Sequence, residues 1–156
     1  LSQQQLVNNM KIFSVALLLG IAGCNATPRL AVTNFTDTID RISTNDGQDS
    51  ADFYYPVVKD SDRSDLEGAF PLVTMLPGGL VDKSLYSNFA TLLAARGYVV
   101  VIPNHLTQMD PFSPPQLYAS QWSAIDILED VILRVNDRDS PLYLIVDTDN
   151  VGISGH

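Results

Sequence analysis

An α/β fold, with a mostly parallel sheet and flanking helices, is what the sequence predicts, and three observations predict it. Two continuous apolar runs, Pro71-Leu72-Val73-Thr74-Met75-Leu76 and Tyr98-Val99-Val100-Val101-Ile102, are bounded by prolines and lack polar alternation, as strands buried on both faces do. A segment with helical periodicity lies between them. A second helical segment, Leu117 to Val135, precedes a last apolar run, Val151-Gly152-Ile153-Ser154. Strand, helix, strand at this spacing is a βαβ unit, whose strands run parallel through a right-handed crossover.

Taken in order, residues 1–9 are polar, rich in Gln and Asn, and without periodicity, so they are read as upstream of the start and outside the fold. Residues 10–23 combine Met10-Lys11 with the apolar stretch Ile12 to Gly23, the pattern of a secretory signal peptide. That stretch is shorter than the roughly 20 residues a bilayer span needs. Ile21-Ala22-Gly23-Cys24 resembles the lipobox of bacterial lipoproteins, which implies lipidation at Cys24 and a membrane anchor there. The alternative is an ordinary signal cut after Gly23 or Ala26, with Cys24 incidental. Either way the chain is expected to be exported, as a cell-envelope lipoprotein or a secreted protein. Residues 24–50, rich in Thr, Asn, Asp and Ser, read as a tether.

Residues 51–156 are expected to be the folded part. Ala51 to Val58 is aromatic and β-branched, an early strand that Pro56 pushes toward an edge or a strand end. The acidic run from Lys59 to Gly68 is a loop. After Pro71 to Leu76 comes Pro77-Gly78-Gly79, then a helix that Asp82 or Ser84 can cap, with Phe89, Leu92 and Leu93 on one face and Gly97 as its stop. Asn104 to Gln116, with Pro111, Pro114 and Pro115, is a loop past a strand end, where open α/β sheets bind ligands. The helix from Leu117 to Val135 presents Trp122, Ile125, Leu128, Ile132 and Val135 inward and turns Asp126, Glu129 and Asp130 outward. Core packing is the expected role of Trp122 and Tyr118. Leu142 to Val146 is an approach segment or a short strand, Asp147 to Asn150 a turn, and Val151 to Ser154 the strand that leads on.

Composition narrows the function. Nine Lys and Arg stand against 18 Asp and Glu, a net charge of -9, with no basic stripe to displace counterions, so nucleic acid is not an expected partner. The single cysteine rules out an intrachain disulfide. No cofactor or metal is expected: Asp60-x-Asp62 lacks the glycine of a calcium loop, and nothing like Gly-Lys-Ser follows Gly79 to make a nucleotide P-loop.

Asp52-Phe53-Tyr54-Tyr55-Pro56, Leu76-Pro77-Gly78-Gly79 through Tyr86-Ser87-Asn88-Phe89 to Arg96-Gly97-Tyr98, and Asp147 through Gly155-His156 stand in an order and spacing that resemble the α/β-hydrolase superfamily. Within it, the chlorophyllase, platelet-activating-factor acetylhydrolase and PET-hydrolase-like esterases are the most similar. The resemblance implies a partial α/β-hydrolase fold, its N-terminal half. In those families Gly155-His156 would continue as Ser-x-Gly, so the chain is expected to stop before the nucleophile-elbow serine, with Gly155 and His156 as its flank, and to be inactive by itself. The whole protein would then hydrolyse a small-molecule or lipid-like ester.

Acyl transfer needs donors aimed at the oxygen that becomes negative, and by position in the motif the backbone N–H groups of Gly79 and then Leu80 are the candidate oxyanion-hole donors. The competing reading is that Gly78 and Gly79 serve a tight turn with positive φ. Ser154 is rejected as the nucleophile because His156 sits where the closing glycine of Gly-x-Ser-x-Gly must be. His105 is a weaker candidate for the substrate crevice. A rival from another class is a haloacid-dehalogenase-like, magnesium-dependent phosphatase using Asp147 and Asp149, suggested by Asp-x-Asp after an apolar strand. A non-catalytic surface binding lipoprotein on the same fold is a third reading.

Overall fold

A computed structural model describes residues 29–41, 48–107, 112, 114–118 and 121–155. The stretch expected to be a signal peptide, the candidate lipidation residue Cys24, and His156 lie outside the described residues. Among the described residues, the main sheet has five strands: β1 (Val32–Asp40), β2 (Gln48–Pro56), β3 (Phe70–Leu76), β4 (Val99–Asn104) and β7 (Val146–Gly155), in the order β1-β2-β4-β3-β7. β5 (Leu106–Thr107) and β6 (Gln116–Leu117) form a separate antiparallel pair. Two helices, α1 (Ser87–Ala94) and α2 (Gln121–Asn136), flank the sheet. No helix among the described residues is long and apolar enough to cross a membrane.

The expected βαβ unit is present: β3 pairs parallel with β4, and on its other side parallel with β7. β1-β2 and β2-β4 are antiparallel, which makes the sheet mixed. Alternate residues serve opposite faces. Phe53, Leu72, Val99 and Val101 pack with Ile127, Leu128 and Val131 of α2, whereas Tyr54, Val73, Val100 and Ile102 pack with Ala90 and Ala94 of α1. This double burial is why the central strands read as uninterrupted apolar runs.

Several elements depart from expectation. Val32–Asp40, assigned to the tether, is a nine-residue edge strand in register with β2. Its alternate positions Phe35, Asp37 and Ile39 include a half-exposed carboxylate, which hides the alternation, and Arg134 of α2 pairs with it at 2.8 Å. β2 therefore lies inside the sheet, with Pro56 as its terminal residue where a missing N–H breaks no ladder. In α1 the buried residues are Ala90 and Ala94, whose small size lets the helix approach the sheet, with Phe89 and Leu93 beside them. Leu92, expected on that face, is exposed. Asp126, expected outward, is buried together with Ser123, and Trp122, expected in the core, is half exposed. α2 starts at Gln121 because Leu117 belongs to β6.

Arg134 fastens the edge strand to α2. It donates to Asp130 at 2.6 Å, to Asp37 at 2.8 Å and to the Thr38 carbonyl at 3.0 Å, and it lies 4.9 Å from the Phe53 ring centroid. The hydrogen bond from Arg134, then that from the Thr38 backbone, holds the Asp37 carboxyl below its ordinary range. At Asp130 burial outweighs the same guanidinium, and the carboxyl is raised. Arg134→Met is expected to cost about 3 kcal/mol, because it leaves the largely buried Asp130 carboxylate unpaired and removes a cation from an aromatic face. Arg134→Lys should recover only part of this, since an ammonium lacks the fork that serves two acids. Urea unfolding of the two variants measures both. A loss under about 0.5 kcal/mol for the methionine variant would place Arg134 among ordinary surface ion pairs.

Candidate functional site

Because β3, β4 and β7 run parallel, their C-terminal ends share one edge of the sheet. Leu76 at the end of β3 stands in register with Gly155 at the end of β7, and Asn104, the last residue of β4, and His105 after it stand at the same edge. The structure thus brings Gly79, Leu80, Gly155 and His105 to one end, the position where open α/β sheets place ligands.

The turn after β3 is built from backbone. The Val81 N–H donates to the Gly78 carbonyl at 3.1 Å, and the Gly78 N–H donates to the Tyr86 hydroxyl at 3.2 Å. The positive φ of this turn, 65°, falls on Leu80 and not on either glycine. A leucine there is strained and needs its surroundings to hold it. The Leu80 N–H donates to the Leu117 carbonyl at 2.8 Å, so it is committed within the fold. The Gly79 N–H has no protein acceptor among the described residues. The Tyr118 ring lies beside this residue: a Cβ at 79 would stand 3.4 Å from its Cδ2 and Cε2, at the near edge of ordinary van der Waals contact. Tyr118, expected in the core, is a half-exposed wall of this site.

A polar lattice holds the segment that follows. Lys83 pairs with Asp52, which also accepts from the Thr36 hydroxyl at 2.8 Å. Asn104 accepts from the Lys83 N–H at 2.8 Å and donates to Asp82 at 2.6 Å. Asp82 caps a 3-10 turn, Lys83–Tyr86, by accepting from the Ser84 N–H at 2.9 Å. Hydrogen bonds from Ser84, through its side chain and then its backbone, followed by that from Asn104, lower the Asp82 carboxyl from 3.8 to about 2. Its folded value lies below its unfolded one, so its stabilising contribution is complete above about pH 4 and is lost as pH falls toward 2. Asp82→Asn is therefore expected to flatten the acid limb of the stability curve between those values, as acid titration of the two proteins at fixed urea would record. Parallel curves for the two proteins would contradict this.

His105 is buried, not open to solvent as a loop histidine would be: it is 6% exposed, with Nδ1 2.6 Å from Oδ2 of Asp49. His105 borders a gap too narrow for a water molecule, together with Pro77, Gly78, Val81, Leu117 and Tyr118. Asn104 to Gln116, expected to be irregular, contains β5, which pairs with β6; a two-residue ladder leaves no periodic signal. Ser154 is a β7 strand residue beside Met75.

The acidic segment of the phosphatase reading lies elsewhere. Residues 148–150 bulge out of β7 between the pairs Pro71↔Asp147 and Leu72↔Val151, near the start of β3 and away from Gly79. Asp147 accepts from the N–H groups of Asp149 and Asn150 at 3.0 and 3.2 Å and from the Asn150 side chain at 2.5 Å, so its oxygens are used in forming the turn. Among the described residues no three His, Cys, Asp or Glu are grouped to hold a metal ion. An open groove at the same end is lined by Asp60, Arg63 and Arg138, but Arg63 is taken up by the carbonyls of Pro141 and Tyr143 and by Asp60.

No family model and no curated protein matches this chain. Two solved structures are similar in outline. One is brefeldin A esterase, a bacterial homologue of human hormone-sensitive lipase, at 20% identity and a TM-score of 0.47, over 86% of this chain and 34% of that one. The other is a ferulic acid esterase from Streptomyces cinnamoneus, at 13% identity and a TM-score of 0.45, over 87% of this chain and 54% of that one. The chain thus spans between a third and about half of the length of these structures.

Proposed function

We propose that this chain is the N-terminal part of an exported serine ester hydrolase of the α/β-hydrolase superfamily, of the chlorophyllase, platelet-activating-factor acetylhydrolase or PET-hydrolase-like kind. The observation that carries the reading is the parallel β3-β7 pairing with Leu76 beside Gly155, which sets the Gly79 turn next to the end of the strand that would deliver a nucleophile. In this reading a serine following His156 attacks the ester carbonyl while a histidine from later in the sequence takes its proton. The carbonyl oxygen becomes an oxyanion facing the N–H groups of Gly79 and of the residue after the serine. The histidine returns the proton to the departing alcohol, and water then hydrolyses the acyl-enzyme. Residues 1–156 alone carry one wall of the oxyanion hole and no triad, and are expected to be inactive. Lipidation at Cys24 would hold the enzyme at a membrane, where small-molecule or lipid-like esters are the substrates.

The test is a fluorophosphonate probe applied to the whole protein, followed by peptide mapping. One labelled residue, the serine immediately after His156, is expected. Absence of label, with esters still bound but not cleaved, would replace the esterase with a binding lipoprotein. A magnesium-dependent phosphatase activity abolished by Asp147→Asn would replace it with the phosphatase.

A further inference from the structure

We infer that the buried Asp49–His105 pair is a positioning device for the Gly79 turn, acting through the β5-β6 ladder; its catalytic consequence rests on the reading of Gly79 as the oxyanion donor. Asp49 is 4% exposed and His105 is 6% exposed, and they meet at 2.6 Å. A carboxylate only accepts, so the ring Nδ1–H donates, and a charge-assisted bond of this length is among the stronger kinds. The other carboxylate oxygen faces Arg41 Nε at 3.5 Å, and Arg41 Nη1 donates to the Leu106 carbonyl at 3.1 Å. Arg41, just past the end of β1, and Asp49 of β2 therefore grip His105 and Leu106, the start of β5.

From that grip a continuous path of hydrogen bonds leads to the site. The His105 carbonyl accepts from the Tyr118 N–H at 2.8 Å, Leu106 pairs with Leu117, and the Leu117 carbonyl accepts from the Leu80 N–H at 2.8 Å. Leu80 holds the left-handed conformation that turns the chain just after Gly79. The same path seats the Tyr118 ring against Gly79. A ladder of two residue pairs is not stable by itself. The Asp49–His105 bond supplies the anchor that it lacks, and thereby sets where the Gly79 N–H points.

The test uses His105→Gln and the near-isosteric Asp49→Asn, with backbone amide hydrogen exchange read residue by residue on the full chain. Exchange at Leu80 and Tyr118 is expected to quicken about tenfold, while Val73 and Val101 in the central strands stay unchanged. The double variant should add little to either single one, because both remove the same contact. Unchanged exchange at Leu80, or an equal acceleration across the sheet, would overturn the proposal, the second by making the pair a general stabiliser. In the whole protein the same variants should lower kcat for an ester about tenfold with KM nearly constant, since a displaced donor affects only the transition state. A raised KM with kcat intact would overturn positioning. The exchange result does not depend on whether Gly79 meets an oxyanion, so failure of the esterase reading leaves it standing, and failure of the exchange arm leaves that reading standing.

Discussion

Replacing Phe53 by alanine is expected to destabilise the fold by about 4 kcal/mol, the upper part of the range for a fully buried aromatic. Phe53 is completely buried at the centre of β2, opposite Phe35 on one side and Val101 on the other. Its ring stacks on Phe35 at 4.6 Å with planes 4° apart, and Arg134 lies over it. The substitution would open a cavity under α2 and remove the platform on which the edge strand and the guanidinium both rest. Against a total stability that for such domains is about 5–15 kcal/mol, a loss of this size leaves little. Phe53→Leu should cost under about 2 kcal/mol, because most of the volume remains. Phe53→Ala and Arg134→Met should be less than additive, since each removes the contact that the other provides. Urea denaturation with the slope held constant measures all three, and a loss below about 2 kcal/mol for Phe53→Ala would contradict the packing described.

How far the sequence revealed this arrangement follows from which forces leave a local trace. β3 and β4 were legible because burial on both faces demands apolar residues at every position, and Thr74 alone interrupts the run. The turn at Asp147 was legible because Asp-Thr-Asp-Asn writes its side-chain-to-backbone bonds into four adjacent residues. β1 was not, because the half-exposed Asp37 breaks the alternation between Phe35 and Ile39, and its partner, Arg134, lies 97 residues away. The inward face of α1 was misread for a related reason: Leu92 is the larger apolar residue, but close approach to the sheet selects Ala90 and Ala94. After β3, the glycines pointed to a tight turn, and the Val81 N–H bonded to the Gly78 carbonyl closes one there. What they could not show was that Leu80, not a glycine, takes the positive φ, and that the Tyr118 ring lies beside Gly79. Asp49 and His105, 56 residues apart, are joined only by the antiparallel pairing of β2 with β4, in which Ser50 and Asn104, their chain neighbours, stand opposite each other.

The other large effect concerns Gly79 itself. Its N–H has no protein acceptor among the described residues, whereas the neighbouring Leu80 N–H is held by Leu117. Replacing the Gly78–Gly79 amide by an ester in the whole protein removes that hydrogen while leaving every side chain in place. If the oxyanion forms there, kcat for a simple carboxylic ester should fall by about 10²–10³-fold with KM nearly unchanged, the signature of a donor engaged only in the transition state. An ester-linked protein that hydrolyses the same substrate at the native rate would contradict the assignment of Gly79, and with it the account of this sheet edge as an ester hydrolase site.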